Sequence, residues 1–152
     1  MRLPSSRGFK KTTGNRRGQS MIEFSLAAPL LLVIATGMLW FGFALYEQIV
    51  LTNGVNAGAL VLALSRGQTT DPCATGTTAV ENAAPSLSTS KLSFTFVING
   101  TSYSSTTCTG GVSNMVQGAT VQVSANYSCV LAVYGMGTPS CGLGAKTAET
   151  IQ

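Results

Sequence analysis

Five side-chain carboxylates are all the acid this 152-residue sequence offers, at Glu23, Glu47, Asp71, Glu81 and Glu149, and it has no histidine. A serine or cysteine nucleophile needs a positioned base, usually an imidazole, so the ordinary triads are excluded. Acid–base work by two carboxylates needs a spacing that brings them together, and Glu47, Asp71, Glu81 and Glu149 show none. Gly135-Met-Gly137 and Gly142-Leu-Gly144 lack the strand–helix context of a phosphate loop. The sequence therefore reads as a protein that is not an enzyme, with no cofactor and no small-molecule substrate. Cys73, Cys108, Cys129 and Cys141 contain no Cys-x-x-Cys pair, and without histidine a metal site is not expected. Four cysteines beyond an apolar segment suggest two disulfides among three possible connectivities. Proximity in the chain alone favours Cys73–Cys108 and Cys129–Cys141.

Glu23 is the carboxylate whose place asks for an explanation. It is the only charge between Arg17 and Glu47, at the start of an otherwise apolar run. An ionised carboxylate in such a run is costly unless it has a partner. Gly18 precedes it by five residues and Phe24 follows it, in the order Gly-x-x-x-x-Glu-Phe. A cut between Gly18 and Gln19 creates a new α-amine one helical turn away, and that amine on a neighbouring copy would suit Glu23. A lone interfacial glutamate on an ordinary single-span anchor is the plainer alternative.

The helix that must carry this motif is legible. Phe24 to Tyr46 is uncharged, 23 residues, which as a helix spans roughly 34 Å against a hydrocarbon core of about 30 Å. Pro29 within it predicts a kink or local melting. The helical pattern continues from Gln19 to about Ser65, with Arg66-Gly67 as its stop. Its second half, with Ile49, Leu51, Val55, Leu60, Val61, Leu62 and Leu64, reads as mostly buried. Gly54 and Gly58, at i and i+4, allow close approach of another helix or of the chain's own sheet.

Glu23-Phe24-Ser25-Leu26-Ala27-Ala28-Pro29, with Gly18 before it and Gly37, Phe41-Gly42 and Ala57-Gly58-Ala59 after it, resembles the TadE-like pseudopilins, minor pilins of tight-adherence (Flp) type IV pili. The resemblance covers about Gly18 to Gly67. It departs from the family where a basic residue usually follows the small-residue patch and this chain has Leu60-Val61. The resemblance implies cleavage after Gly18 by a prepilin peptidase and packing of the helix against other pilin or pseudopilin subunits, with Glu23, Phe24 and Pro29 in assembly and register. It also implies a role in bacterial adhesion, a bacterial inner-membrane location, a cytoplasmic N-terminus and a C-terminal domain that is periplasmic or, in a pilus, extracellular. A membrane-anchored periplasmic binding or scaffold protein and a pseudopilin of a secretion system are the alternatives.

Charge agrees with a membrane reading. Of nine basic residues, six (Arg2, Arg7, Lys10, Lys11, Arg16 and Arg17) precede Gly18, where no acid offsets them. A positive flank of this kind stays cytoplasmic and explains the basic arm more simply than nucleic acid does. A secretory signal peptide is the competing interpretation, but it has a shorter apolar region and an Ala-x-Ala-like site, absent here after Tyr46. The expected order is a basic leader over 1–18, a long helix over 19–66 with its membrane span at 24–46, and an extracytoplasmic domain over 67–152.

Beyond Gly67 the pattern changes. Gln68–Gly76 reads as a loop, and Thr77–Ala84 as a short helix capped by Thr77 or Thr78 and ended by Pro85. Leu92, Phe94, Phe96 and Ile98 alternate with Ser93, Thr95 and Val97, predicting a half-buried strand. Asn99-Gly100 predicts a type I′ hairpin turn, with Thr101–Thr107 as the returning strand. Val121, Val123, Ala125 and Tyr127 predict a third strand over Ala119–Val133. Gly135–Gly144 reads as a loop and Ala145–Gln152 as a polar, frayed tail. The expected fold is α+β: a long N-terminal transmembrane helix followed by a small disulfide-bearing antiparallel sheet, as in a pilin. Two glycosylation-type tripeptides, at Asn99 and Asn126, read as chance in a chain rich in Ser and Thr.

Overall fold

The computed structural model describes residues 16–130 and 140–152, and only the backbone of 16–19, 130 and 140. Most of the basic leader, the third strand's expected extension over 131–133 and the glycine-rich stretch 135–139 lie outside the described residues. Helix α1 (Arg16–Leu64) runs through Pro29 without interruption, so the local melting predicted there does not occur. Two compact units divide after Gly37. The described part of the first is helical, and its large apolar side chains, Met21 to Ile34, are exposed. The second, Met38–Gln152, holds the rest of α1 and everything after it.

Within the second unit, α1 changes character over one turn. Tyr46 and Ile49 are exposed, whereas Leu51, Val55 and Leu62 are fully buried. The buried positions follow one face of a 3.6-residue period. Ile49, Leu60, Val61 and Leu64 lie off that face and are exposed, so this half of the helix is one-sided, not mostly buried as its composition suggests. The helix stops where glycine can turn the chain, with Gly67 at φ +74°.

Helix α2 (Pro72–Ala83) begins five residues before the predicted start. Asp71, not Thr77 or Thr78, is the N-cap: its Oδ1 accepts the Ala74 N–H at 3.1 Å, and Pro72 occupies the first helical position, where a missing N–H costs nothing. Gly76, expected to end a loop, is inside the helix because the Phe96 ring packs there. A Cβ at Gly76 would lie 2.8 Å from Phe96 Cε1.

Four antiparallel strands form one sheet in the order β2-β1-β3-β4. Strand β1 (Leu92–Ile98) turns at Asn99 and Gly100, both at positive φ (48° and 81°), into β2 (Thr101–Tyr103). The return strand is shorter than expected: the chain leaves the sheet after Tyr103 and enters a 3-10 turn at Thr109–Asn114, with Cys108 capping that turn. Strand β3 (Thr120–Val130) buries Val121, Val123, Ala125 and Tyr127. The expected loop end and frayed tail are in fact an 11-residue strand, β4 (Ser140–Thr150), paired with β3 along its whole length. Its end is fixed: Ile151 is buried, and the Gln152 N–H donates to the Ala63 carbonyl at 3.2 Å.

Helices α1 and α2 meet through glycine. A Cβ at Gly54 would lie 3.0 Å from Ala84 Cβ, and one at Gly58 would overlap Val80 Cγ2. The close approach foreseen for this pair is therefore made to the chain's own second helix. Overpacking such a contact costs about 1–3 kcal/mol, more than the roughly 1 kcal/mol that alanine gains over glycine in a helix. Gly58→Ala should lower the melting temperature of the detergent-solubilised protein, followed by circular dichroism. Gly37→Ala, with nothing within 4 Å of its Cβ, should not. An unchanged melting temperature for Gly58→Ala would contradict the packing.

Candidate functional site

Two groups of candidate residues can be followed into the structure. At the N-terminal end, Gly18 and Gln19 lie in the first turns of α1, so the peptide bond between them is helical. Glu23 and Phe24 follow on the same helix, and both are exposed, Phe24 among a run of exposed apolar side chains. Ser25 donates to the Ile22 carbonyl at 2.9 Å. Within this local geometry Pro29 leaves the Ser25 carbonyl without its usual helical donor. From Ser20 to Leu64 the helix is long and apolar enough to cross a membrane. It is thus a candidate membrane anchor.

The second group surrounds Asp71. Cys73 and Cys108 are joined in a disulfide, with Cα atoms 5.3 Å apart, and Cys129 pairs with Cys141 across β3 and β4, at 5.0 Å. These are the pairs that proximity in the chain favours. Asp71 Oδ1 accepts two main-chain N–H groups, from Ala74 at 3.1 Å and from Cys108 at 2.8 Å. The Cys73 N–H points at Cys108 Sγ, 3.0 Å away. One carboxylate therefore caps α2 and fastens the returning loop beside the disulfide. The donor atoms of Asp71, Cys73 and Cys108 lie within 4.8 Å of one another, a spacing that suits a metal. With both sulfurs in a disulfide there is no thiolate to coordinate one. This cluster is a clamp.

Sequence reasoning placed Asp71 in a loop and missed its double role. The signal was present, because Asp-Pro immediately before a helical pattern is a strong start. It also missed two polar residues of α1 that reach β4. Gln48 Nε2 donates to the Gly144 carbonyl at 2.9 Å, and the Thr147 hydroxyl donates to Asn56 Oδ1. Gln48 and Asn56 are two turns apart, a spacing that places them on neighbouring faces of one helix. Glu47, Asp71, Glu81 and Glu149 lie on or beside three elements: α1, α2 (Asp71 at its start and Glu81 within it) and β4.

A long apolar helix led by Gly18 and Glu23 is joined to a disulfide-stapled antiparallel sheet. Residues 18–60 match the model of the TadE-like protein family, so the N-terminal part of the chain is similar to that family. No curated protein and no solved structure matches the chain.

The Asp71 clamp has a measurable consequence. Asp71→Ala removes an N-cap, worth about 0.5–2 kcal/mol, and leaves the Cys108 N–H without its acceptor, worth about 1–3 kcal/mol more. Asp71→Asn keeps an acceptor oxygen and should lose far less. Thermal unfolding of both variants with the disulfides intact is the check, and equal losses would contradict the two-donor arrangement.

Proposed function

We propose that this chain is a pilin-like subunit of a type IV pilus system of the tight-adherence (Flp) kind. It is cut by a prepilin peptidase between Gly18 and Gln19 and packs against other subunits through its N-terminal helix. In this reading it is the substrate of an enzyme and not itself one. The observation that carries the reading is the family match, which begins on Gly18, the residue the motif sets before the cut.

The chemistry follows from the residues around that bond. The six basic side chains before Gly18 hold the leader on the cytoplasmic side, leaving the sheet domain on the other. A peptidase acts on extended backbone, so the first turns of α1 must open. Gly18 makes this easier, since glycine is about 1 kcal/mol worse than alanine in a helix. Cleavage removes the six positive charges and creates the Gln19 α-amine. The apolar helix then exchanges lipid for neighbouring helices at little hydrophobic cost. Glu23 pairs with the Gln19 amine of the next subunit. Buried ion pairs contribute little net stability, so this pair selects register.

Two variants separate cutting from assembly. Gly18→Ala should accumulate as full-length protein by intact mass, and normal processing would refute the cleavage site. Glu23→Ala should be processed yet absent from the sheared pilus fraction, and unimpaired incorporation would remove its role in register.

A further inference from the structure

Strand β4 and the second half of α1 advance side by side. Gln48 touches Gly144, Asn56 touches Thr147, and the Ala63 carbonyl takes the Gln152 N–H. Along the helix, Gln48 to Ala63 is about 22 Å. Along the strand, Gly144 to Gln152 is about 27 Å. The two runs are therefore close to parallel, and levels on one can be read from the other. Cys141, three residues before Gly144, lies about 10 Å further towards the N-terminal end of the helix. That is some seven helical residues, the level of Trp40 and Phe41. Continued in the same direction, the strand would bring the Cys129–Cys141 end of the sheet beside the apolar part of α1 and not above it.

Side-chain exposure agrees. Trp40 falls on the helical face that continues through Ala44 and Gln48 to Leu51. It is 37% exposed, against 66% and 65% for its neighbours Leu39 and Phe41. The strand end at this level is polar. Ser128 and Asn126 are exposed, and Gly142 and Gly144 stand at an open sheet edge. Hydrocarbon does not accept an unpaired strand edge, whereas the headgroup layer hydrates one. That layer is also where Trp and Tyr concentrate, and Trp40, Phe43 and Tyr46 are grouped here.

We infer that the Cys129–Cys141 end of the sheet rests in the lipid headgroup layer beside Trp40, and that the stretch crossing the hydrocarbon is Met21–Leu39. Those residues span about 28 Å as a helix, close to the hydrocarbon thickness of about 30 Å. The outer boundary moves from the expected Tyr46 to Leu39 because the sheet marks where hydrocarbon must end, and the inner boundary moves to Met21 with Glu23 within one turn of it, close enough to reach the headgroup layer. The partner of this surface is the phospholipid headgroup. The inference needs the membrane span and is independent of the pilus reading.

Trp40 is the chain's one tryptophan, so the unlabelled protein carries its own depth probe. The full chain is reconstituted in phosphatidylcholine vesicles containing lipids brominated at shallow or deep acyl positions, and its fluorescence quenching is compared. Quenching should be strongest for bromines nearest the headgroup. Strongest quenching by deep bromines would overturn the placement. Ser128→Trp and Ser102→Trp, each in a Trp40→Phe background, test the sheet itself. The first should be quenched by shallow bromines, and the second, on β2, should not. A Ser128→Trp protein as unquenched as Ser102→Trp would overturn the headgroup contact whatever Trp40 shows.

Discussion

The approach of α1 to α2 at Gly54 and Gly58 sets the spacing on which the rest of the domain depends. With glycine at both positions, Val80 and Ala84 come against the helix backbone. Leu51 and Val55 from α1 then share one core with Phe96, Val121 and Val123 from the sheet. The device repeats one layer further in, where Gly76 of α2 admits the Phe96 ring. Two helices and a sheet thereby stack closely, with glycine at the points of nearest approach. A core this small gains from cross-links, and the two disulfides contribute about 2–4 kcal/mol each.

The same helix has opposite obligations along its length. From Leu51 onward one face is committed to the chain's own core, fixed by hydrogen bonds from Gln48 to β4 and from Thr147 of β4 to Asn56. Before Gln48 its large apolar side chains are exposed, which suits contact with lipid or with other helices. The Asp71 clamp supports the committed half: one carboxylate starts α2 and holds the Cys108 loop, so the helix that faces Gly54 and Gly58 is anchored at its N-terminus.

Much of this was legible in the sequence. The apolar run, the Phe94–Phe96–Ile98 alternation and the Asn99-Gly100 turn each carry a strong local signal, and each forms as expected. Strand β4 was missed for a physical reason. Its half-buried residues are Cys141, Leu143, Ala145 and Thr147, so only one large apolar side chain marks the inward face. It is a strand because β3 pairs with it and α1 hydrogen-bonds to it, interactions that lie far away in sequence. The start of α2 was missed because Gly76 looks like a breaker, and only the distant Phe96 ring explains it. The exposure of Ile49, Leu60, Val61 and Leu64 was misjudged because apolarity does not say which face of a helix has a partner. The Gly18–Glu23 motif is a matter of local spacing, and the family match begins on its glycine.

The central claim is that the leader is removed and the helix begins at Gln19. Intact mass and N-terminal sequencing of the protein recovered from cells test it most directly. The account predicts a mature species starting at Gln19, lighter by the eighteen residues of the leader. A mature species that still starts at Met1 would contradict it, and would leave a single-span anchor carrying a disulfide-stapled domain.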